Sequence, residues 1–336
     1  MLRRKTVIAV IVVLILAIAG FAALYVYKAK QEKIKIAGSF TLGTANTEVS
    51  WGIFIADELK FFAESGLNVT LRPFETGLAA YTAMLQGDVD VSLPSEFVIV
   101  GGAVRQNKIR VISTIVKADF FTLTGRRDHG VAKASDLAGK RIGLARNTIE
   151  EFFLGRILDL QGMNINDVTV VDMTFSAVAG AIREGVVDAV VAIPPYSDSI
   201  KNTFGARVAE WSAQSGQSLF GVLTSSDAWI ARNPDLVIRL LKAVEQANMY
   251  IARHPEEAKA ILAKRLNLDA ASVERAGQRN RFSLSLDQSL VVAMEDEARW
   301  MIRNNLTPEK TIPDFIKYIY LDGLKAVRPE AVSIIH

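Results

Sequence analysis

The chain contains no cysteine and only three histidines among its 336 residues. The missing cysteine excludes disulfides, thiolate metal sites, a thiol nucleophile and the acylated cysteine that anchors bacterial lipoproteins. His129, His254 and His336 adjoin no nucleophile motif and lack zinc-binding spacing. The sequence also has no phosphate-binding loop. We therefore predict no catalytic residues, no metal, no cofactor and no enzyme activity, and a body that folds without either metal or disulfide.

The net charge of +3 is small and comes from one end of the chain. Residues 1–30 hold five of the 39 basic side chains and no acid, so the other 34 face 36 acids, a net charge of −2. Nucleic-acid binding needs a basic surface, which this balance does not indicate. We expect no nucleic-acid partner.

The first 30 residues contain a long apolar run. Thr6–Val26 carries no charge over 21 residues, which is enough to cross a bilayer as a helix, and Arg3, Arg4 and Lys5 precede it. The alternative is a signal peptide cleaved after the small residues at 17–19. Because the apolar run continues past that point, we predict residues 1–30 to be a cytoplasmic stub and a single-pass membrane anchor. Both interpretations place the body in the periplasm or outside the cell, tethered in one case and released in the other.

Residues 133–196 have the pattern of a parallel βαβαβ unit. The predicted elements are a strand over Lys140–Ala145, a helix over Glu150–Leu160, a strand over Val168–Val171, a helix over Ala177–Glu184 and a strand over Asp188–Ile193. Thr148 fits the N-cap of the first helix, with Glu151 completing a capping box. In such units ligands collect at the carboxyl ends of strands, near helix N-termini.

The flanking sequence predicts further strands and helices. The expected elements are a strand over 33–38, a loop over 39–50, a helix over 51–62, a strand over 67–73, a helix over 78–85, a strand after Gly87, and helices within 233–264 and 286–304. LQGDVDVSLPSE and REGVVDAVVAIPPY share one layout, which suggests two similar lobes. We expect the chain to cross between lobes at Leu123–Lys133 and to return at Leu219–Ser225.

Two stretches resemble a known family. DLAGKRIGLARNTIEEFFL, followed by VTVVDMTFSAVAGAIREGVVDAVVAIPPY, is similar to the second lobe of nitrate/sulfonate/taurine-type solute-binding proteins, the extracytoplasmic receptors of ABC importers. WGIFIADELKFFAESGLNVTLRPFETGLAAYTAMLQGDVDVSLPSEF resembles their first lobe. The resemblance covers most of residues 34–230. Asn147 stands where Gly is usual, and Ile193-Pro194 stands where Trp-Glu is usual, so both departures lie on the expected ligand face.

The resemblance implies an α/β, two-lobe, periplasmic-binding-protein-like fold of type II, with mixed sheets flanked by helices, here preceded by one transmembrane helix. Lobe 1 would comprise residues 31–124 and 223–336, and lobe 2 residues 125–222. The implied partners are a small polar solute such as a sulfonate, taurine or nitrate, and an ABC permease with its ATPase, with a monomeric body. The alternatives are a membrane-tethered sensor and a binder of a pyrimidine-type vitamin precursor.

A cleft between such lobes needs backbone donors at helix starts, a few polar groups and an aromatic wall. The residues that fall at matching places are Thr44, Trp51, Thr76, Gly77, Ser95, Glu96, Asp119, Asn147, Thr148 and Tyr196. The plainer alternatives are a core role for Trp51, a first-turn acid for Glu96, a surface charge for Asp119 and a strand end for Tyr196. Helix N-termini favour an anionic head group on the ligand, whereas the carboxylates of Glu48, Glu96 and Asp119 would suit an amine. An aminosulfonate carries both an anionic group and an amine.

Overall fold

The computed structural model describes residues 36–335, which form two lobes, each built on one β-sheet flanked by helices. The predicted membrane anchor, like the alternative signal peptide, lies outside the described residues. Among the helices of residues 36–335, none combines the length and apolarity that crossing a bilayer requires.

Within residues 36–335, twelve strands form the two sheets. They are β1 (Gly38–Ala45), β2 (Leu67–Phe74), β3 (Val91–Leu93), β4 (Ile109–Ala118), β5 (Thr122–Arg126), β6 (Arg141–Leu144), β7 (Thr169–Asp172), β8 (Ala189–Ala192), β9 (Val208–Ser212), β10 (Leu219–Ser226), β11 (Asn280–Asp287) and β12 (Val332–Ser333). The lobe 1 sheet has the order β12-β11-β4-β10-β3-β1-β2, and the lobe 2 sheet has the order β7-β6-β8-β5-β9. β1 is parallel to β2 and β3, whereas β10 is antiparallel to β3 and β4, so the predicted mixed sheets are confirmed.

Thirteen helices cover the sheets within the described range. They are α1 (Trp51–Glu58), α2 (Phe61–Glu64), α3 (Gly77–Gln86), α4 (Glu96–Val104), α5 (Ile149–Leu160), α6 (Val178–Arg183), α7 (Tyr196–Phe204), α8 (Asp227–Arg232), α9 (Pro234–Arg253), α10 (Pro255–Leu266), α11 (Ala270–Arg279), α12 (Gln288–Arg303) and α13 (Leu321–Val327). The long helix α9 begins at a proline, whose missing N–H is no loss in the first turn. Its apolar residues recur every three or four positions and are buried, which holds the C-terminal helices on lobe 1.

The predicted βαβαβ unit is confirmed in lobe 2. β6 pairs in parallel with β7 and with β8, and α5 and α6 connect these strands. In contrast, the predicted loop over 39–50 is wrong, because β1 occupies Gly38–Ala45 between β2 and β3. Of the predicted strand over 33–38, residues 33–35 lie outside the described residues, and residues 36 and 37 precede β1. The small residues of β1 reflect close packing: a Cβ added at Gly43 would come within 3.0 Å of the Phe74 ring.

Both crossings between lobes come earlier in the chain than predicted. Residues 119–121 lead from β4 in lobe 1 to β5 in lobe 2, and residues 213–218 lead from β9 back to β10. The predicted boundaries at 124/125 and 222/223 therefore fall inside strands. Leu123 and Leu219 are buried residues of the two sheets, so the chain must already have crossed before each of them.

The lobes also contact each other through a cluster of aromatic side chains. Phe97 of α4, Phe152 of α5 and Trp300 of α12 pack with ring centroids 5.5–6.3 Å apart. Gly155 of α5 allows this approach, since a Cβ there would lie 2.2 Å from the Trp300 ring. The C-terminal helix α12 is thus part of the junction between the lobes.

Candidate functional site

The cleft between the lobes contains two adjoining cavities at the carboxyl ends of the strands. Cavity A encloses about 220 Å³ and cavity B about 60 Å³, and Thr47 and Phe175 line both. The walls of cavity B are built from residues that follow β1, β2 and β3 in lobe 1 and β6 and β8 in lobe 2. This is where an open parallel sheet places ligands.

Three helices begin at the wall of cavity B. Thr76 and Gly77 belong to the start of α3, Ser95 to the start of α4, and Thr148 and Ile149 to the start of α5. The first amides of a helix have no partner within the helix, and the helix dipole is positive at this end. The arrangement therefore favours a negatively charged ligand group.

Gly77 is required at the start of α3 by a close approach of backbone. A Cβ at this position would lie 2.8 Å from Pro94 Cα, at the end of β3. The Thr76 hydroxyl accepts the Ala79 amide at 3.0 Å and so caps the helix. These two residues bring the end of β2 and the end of β3 together at cavity B.

Thr148 caps α5, as predicted, although the predicted capping box between Thr148 and Glu151 does not form. Its hydroxyl accepts the Glu150 amide at 3.3 Å and donates to the Ala145 carbonyl at 2.7 Å. The Glu151 carboxylate accepts the amide of Asn147 at 3.0 Å instead of closing a capping box on Thr148. Thr148 lines cavity B, whereas the exposed Asn147 lines neither cavity A nor cavity B.

The backbone conformation explains why Asn147 replaces the usual glycine. Asn147 has a φ of 59°, in the left-handed region. Glycine adopts this conformation without strain, and asparagine is one of the few other residues that visit it routinely. The departure from the family pattern therefore preserves the turn between β6 and α5.

Cavity A has a more polar wall, which includes the carboxylates of Glu48 and Glu75, the hydroxyl of Tyr196 and Ser272. The Glu48 side chain is almost fully buried, and its Oε1 accepts the Asn280 amide at 2.8 Å. Burial raises the pKa of Glu48 above its ordinary value, partly offset by the nearby Arg279. Burial and the Glu75 charge raise the pKa of Tyr196. Within residues 36–335, no lysine or arginine lines either cavity.

Two polar contacts join the lobes beside cavity A. The Glu75 carboxylate of lobe 1 accepts the hydroxyl of Ser176 of lobe 2 at 2.7 Å and its amide at 3.3 Å. Arg275 of lobe 1 forms an ion pair with Asp198 of lobe 2 at 2.8 Å. The lobes are thus in direct polar contact beside cavity A.

Besides Asn147, four predicted site residues line neither cavity, each for a local reason. Thr44 is buried and hydrogen-bonded to the Ser50 hydroxyl, and Trp51 is a core residue whose indole donates to the Ala258 carbonyl at 3.0 Å. Glu96 is fully buried in α4, and Asp119 pairs with Arg281 at 3.2 Å. Trp51 and Asp119 thus have the plainer roles of core residue and surface charge.

Thr76, Gly77, Ser95 and Thr148 come together at cavity B, and Tyr196 lines cavity A. Sequence reasoning missed Glu75, Phe175 and Ser272. Glu75 and Phe175 follow the carboxyl ends of β2 and β7, and that position is a signal that could have found them. Ser272 lies in the C-terminal part, where the sequence shows no site pattern.

Comparison with known sequences supports this architecture. A family model described as "NMT1/THI5 like" matches residues 47–258. A Brucella abortus protein described as a binding protein is 29% identical over 233 residues, which cover 67% of this chain and 71% of that protein. A Bacillus subtilis protein described as binding aliphatic sulfonates is 22% identical over 254 residues, which cover 74% of this chain and 76% of that protein.

Solved structures show the same fold. The alkanesulfonate-binding protein SsuA from Xanthomonas axonopodis pv. citri, bound to MOPS, superposes with a TM-score of 0.74 at 18% identity and covers 84% of this chain and 98% of its own. The periplasmic aliphatic sulphonate binding protein SsuA from Escherichia coli superposes with a TM-score of 0.72 at 15% identity, and the match covers 85% of this chain and 98% of that protein. These similarities confirm the two-lobe periplasmic-binding-protein fold.

The family match extends over more than half of the chain. The relatives are described as binding proteins, which confirms the predicted resemblance and the prediction that the chain is not an enzyme. The protein belongs to the NMT1/THI5-like family and has the two-lobe fold of the periplasmic solute-binding proteins.

Proposed function

We propose that the protein is the extracytoplasmic solute-binding component of an ABC importer and that it binds a small zwitterion, such as an aminosulfonate, between its lobes. The observation that carries this proposal is the distribution of charge in the cleft, where one cavity favours an anion and the other a cation. Helix N-termini surround cavity B, and the carboxylates of Glu48 and Glu75 line the adjoining cavity A.

An anionic group fits cavity B. The helices α3 and α5 approach it from opposite lobes, so an anion between their first turns would favour closure. Phe120, Phe121 and Leu219 complete the wall with apolar surface, which excludes water and strengthens electrostatic interactions. The hydroxyl of Ser95 caps no backbone amide and can donate to the same anion.

A cationic or N–H group fits cavity A. The Glu48 carboxylate is buried there with Asn280 as its one hydrogen-bond donor among the described residues, and a further donor or a cation would stabilise its charged form. A plain alkanesulfonate or nitrate would satisfy the helix starts but would leave Glu48 and Glu75 facing apolar atoms or an anion. A zwitterion supplies both charges, so we expect the amine to be required for tight binding.

A pyrimidine-type vitamin precursor is the second candidate. Phe74, Phe175 and Tyr196 place aromatic side chains around cavity A, where a flat heterocycle could stack. The exocyclic amine of such a ring would donate to Glu48. This ligand uses the carboxylates and the aromatic wall, whereas it makes no use of the helix starts around cavity B.

Transport would follow from closure of the lobes on the solute. The apolar run at 6–26 would tether the body to the membrane, beside an ABC permease with its ATPase. A membrane-tethered sensor would use the same cleft, so uptake distinguishes the two roles. Deleting the gene should abolish uptake of the radiolabelled solute if the protein serves transport.

Calorimetric titration of the full chain in detergent tests the ligand class. We expect taurine to bind at least about tenfold more tightly than ethanesulfonate, because the two differ by the amine that faces Glu48. Glu48→Gln should remove this difference, whereas Glu64→Gln, outside the cleft, should preserve it. Equal binding of the two sulfonates would contradict the zwitterion, and binding of an aminopyrimidine alone would support the second candidate.

A further inference from the structure

A third cavity, cavity C, lies beside cavity B at the junction of the two lobes. It encloses about 310 Å³, which is within the range of small-molecule sites. Phe97, Gly101 and Arg105 line it at every fourth position of α4 and just beyond, so one face of this helix forms the floor. The side chains of Leu78 and Val98 line both cavities and separate them.

The sides of cavity C are apolar and partly open to solvent. Leu78 and Leu85 of α3 contribute one part, and Met301 and Leu306, at and after the end of α12, contribute another. Leu85 is 46% exposed, and Leu78 and Leu306 are half-buried. An aliphatic group in cavity C would therefore remove accessible apolar surface from water, which favours binding.

Arg105 is a cation without an acidic partner at one end of this cavity. Its side chain is exposed, and its Nη1 donates to the Gly101 carbonyl at 2.9 Å. Among residues 36–335, no carboxylate forms an ion pair with it. The guanidinium keeps its other N–H donors free for an anion, and arginine can bind a carboxylate through two parallel hydrogen bonds.

Two adjacent glycines interrupt α4, although glycine is a poor helix former. Gly102 is explained by packing, since a Cβ there would lie 2.1 Å from the Tyr81 hydroxyl oxygen. At Gly101 the added Cβ would meet only the Arg105 guanidinium, at 3.1 Å, with no other side chain or distant backbone within 4 Å. Gly101 therefore leaves the floor of cavity C open and gives Arg105 the room to lie along it.

Three further polar residues of the wall offer no competing charge. The Thr82 hydroxyl donates to the Leu78 carbonyl at 2.9 Å, and the Asn107 amide donates to the Tyr81 hydroxyl at 3.0 Å. Asn147 is exposed and uncharged. These groups leave the charge preference of cavity C to its two ionic residues, Arg105 and Glu151.

Glu151 is the acidic residue of the wall, and its charge is already compensated. Its side chain is buried, and the carboxylate accepts the Asn147 amide at 3.0 Å and pairs with Arg146 at 3.4 Å. Glu151 lies where α4 begins, next to the aromatic contact between α4 and α5. Arg105 follows the other end of α4, about 12 Å along the helix. The cavity therefore favours a single negative charge at the Arg105 end.

We propose that cavity C is a second ligand site, selective for an aliphatic monocarboxylate whose anion pairs with Arg105 and whose chain lies between α3 and the end of α12. The fork of donors on Arg105 matches a carboxylate, and the flexible leucine and methionine side chains suit an aliphatic chain. The wall includes neither Glu48 nor Glu75, so the site does not depend on the solute proposed for the cleft.

Three probes separate the role of the charge from that of the chain. Hexanoate carries both, hexanamide keeps the chain without the charge, and acetate keeps the charge without the chain. The full chain is studied in nanodiscs of phosphatidylcholine, and the readout is the ¹³C-methyl signal of Met301, assigned by its loss in Met301→Leu. We expect hexanoate to shift this signal saturably and to bind roughly tenfold more tightly than either of the other probes.

Arg105→Gln tests the ion pair. It should weaken hexanoate binding by roughly tenfold and leave hexanamide binding unchanged, because only the charge and its fork of donors are lost. Arg232→Gln is the matched control. Arg232 is exposed at the end of α8 and also donates to the carbonyl four residues earlier, that of Ala228, at 3.1 Å, but it lines none of the three cavities. This variant should bind hexanoate as the wild type does.

Gly101→Leu tests the location. The new side chain would extend from the floor into cavity C and should abolish hexanoate binding. Gly180→Leu in α6 is the control, because the nearest atom to a Cβ there lies 4.0 Å away and the position is outside the cavity. The Arg105 and Arg232 variants decide the question should Gly101→Leu fail to fold, since both change exposed side chains.

The proposal is overturned if hexanoate up to about 20 mM leaves the Met301 signal of the wild type unmoved. It is also overturned if hexanamide or acetate binds as tightly as hexanoate. Hexanoate is an anion that could enter cavity B instead, and binding that survives Arg105→Gln would place it there and overturn the proposal. None of these outcomes depends on taurine binding, so failure here is distinguishable from failure of the cleft proposal.

Discussion

The Ser176 hydroxyl of lobe 2 donates to the Glu75 carboxylate of lobe 1 at 2.7 Å, across the mouth of the cleft. The two residues are 101 positions apart in the chain, and Glu75 also lines cavity A. One carboxylate therefore serves both as a wall of cavity A and as a contact between the lobes. If the lobes close on a solute as proposed, Glu75 couples closure to binding.

Removing that contact should shift the lobes toward the open state. Both side chains are exposed, so water competes for the hydrogen bond and Ser176→Ala should weaken closure by less than about 1 kcal/mol. We expect a larger radius of gyration by small-angle X-ray scattering and up to about fivefold weaker solute binding, with an unchanged melting temperature. Ser199→Ala, also exposed in lobe 2, is the control, and identical scattering of the two variants would contradict the role of Ser176.

Thr148→Ala should act on both stability and affinity. Loss of the hydroxyl removes the cap on α5 and the bond to Ala145, which should lower the free energy of unfolding by about 1 kcal/mol. If the hydroxyl also contacts the solute, affinity should fall by roughly another 0.5–1.5 kcal/mol. Thermal melts without ligand measure the first effect and titrations the second. Thr148→Ser should restore both, and an unchanged dissociation constant for Thr148→Ala would limit Thr148 to capping.

Stability should decline toward alkaline pH because Glu96 and Glu297 are buried close together. Burial raises the pKa of Glu96 to about 8, and burial together with the Glu96 charge raises that of Glu297. Between pH 5 and 8 the folded chain therefore keeps protons that the unfolded chain has released. The free energy of unfolding should fall as pH rises through this range, on the order of 1 kcal/mol per pH unit for each proton.

Glu297→Gln tests this origin of the pH dependence. The variant carries a neutral side chain of similar shape, so its melting temperature should fall less steeply between pH 6 and 8 than that of the wild type. Glu295→Gln, partly exposed on the same helix, should retain the wild-type slope. Parallel profiles for the wild type and Glu297→Gln would show that the buried pair does not cause the decline.

Gly155→Ala should loosen the contact between α5 and α12. The new Cβ would lie 2.2 Å from the Trp300 ring, and overpacking of this kind costs about 1–3 kcal/mol. This loss should exceed the gain of roughly 1 kcal/mol in helix propensity. Chemical denaturation followed by tryptophan fluorescence provides the measurement. Gly180→Ala in α6, where the nearest atom lies 4.0 Å from the new Cβ, should instead stabilise the protein.

Local patterns in the sequence were enough to predict much of the fold. The βαβαβ unit follows from apolar strands alternating with amphipathic helices, and the Thr148 cap follows from residue type and position, because both depend on neighbours within one helical turn. The resemblance of two stretches to the solute-binding protein family then indicated two lobes. The strand β1 was missed because its small residues are typical of a loop, and only its pairing between β2 and β3 makes it a strand.

The sequence by itself determined the lobe architecture and the helix starts around cavity B, since strand ends and capping residues are set locally. Only the tertiary structure decided which side chains share a wall. Glu48 meets Asn280 across 232 positions, and Trp51 packs in the core, where its indole donates to the Ala258 carbonyl, instead of lining the cleft. Such pairings depend on which face each helix or strand presents after packing. That orientation is set by contacts between residues far apart in the chain, so a short stretch of sequence does not determine it.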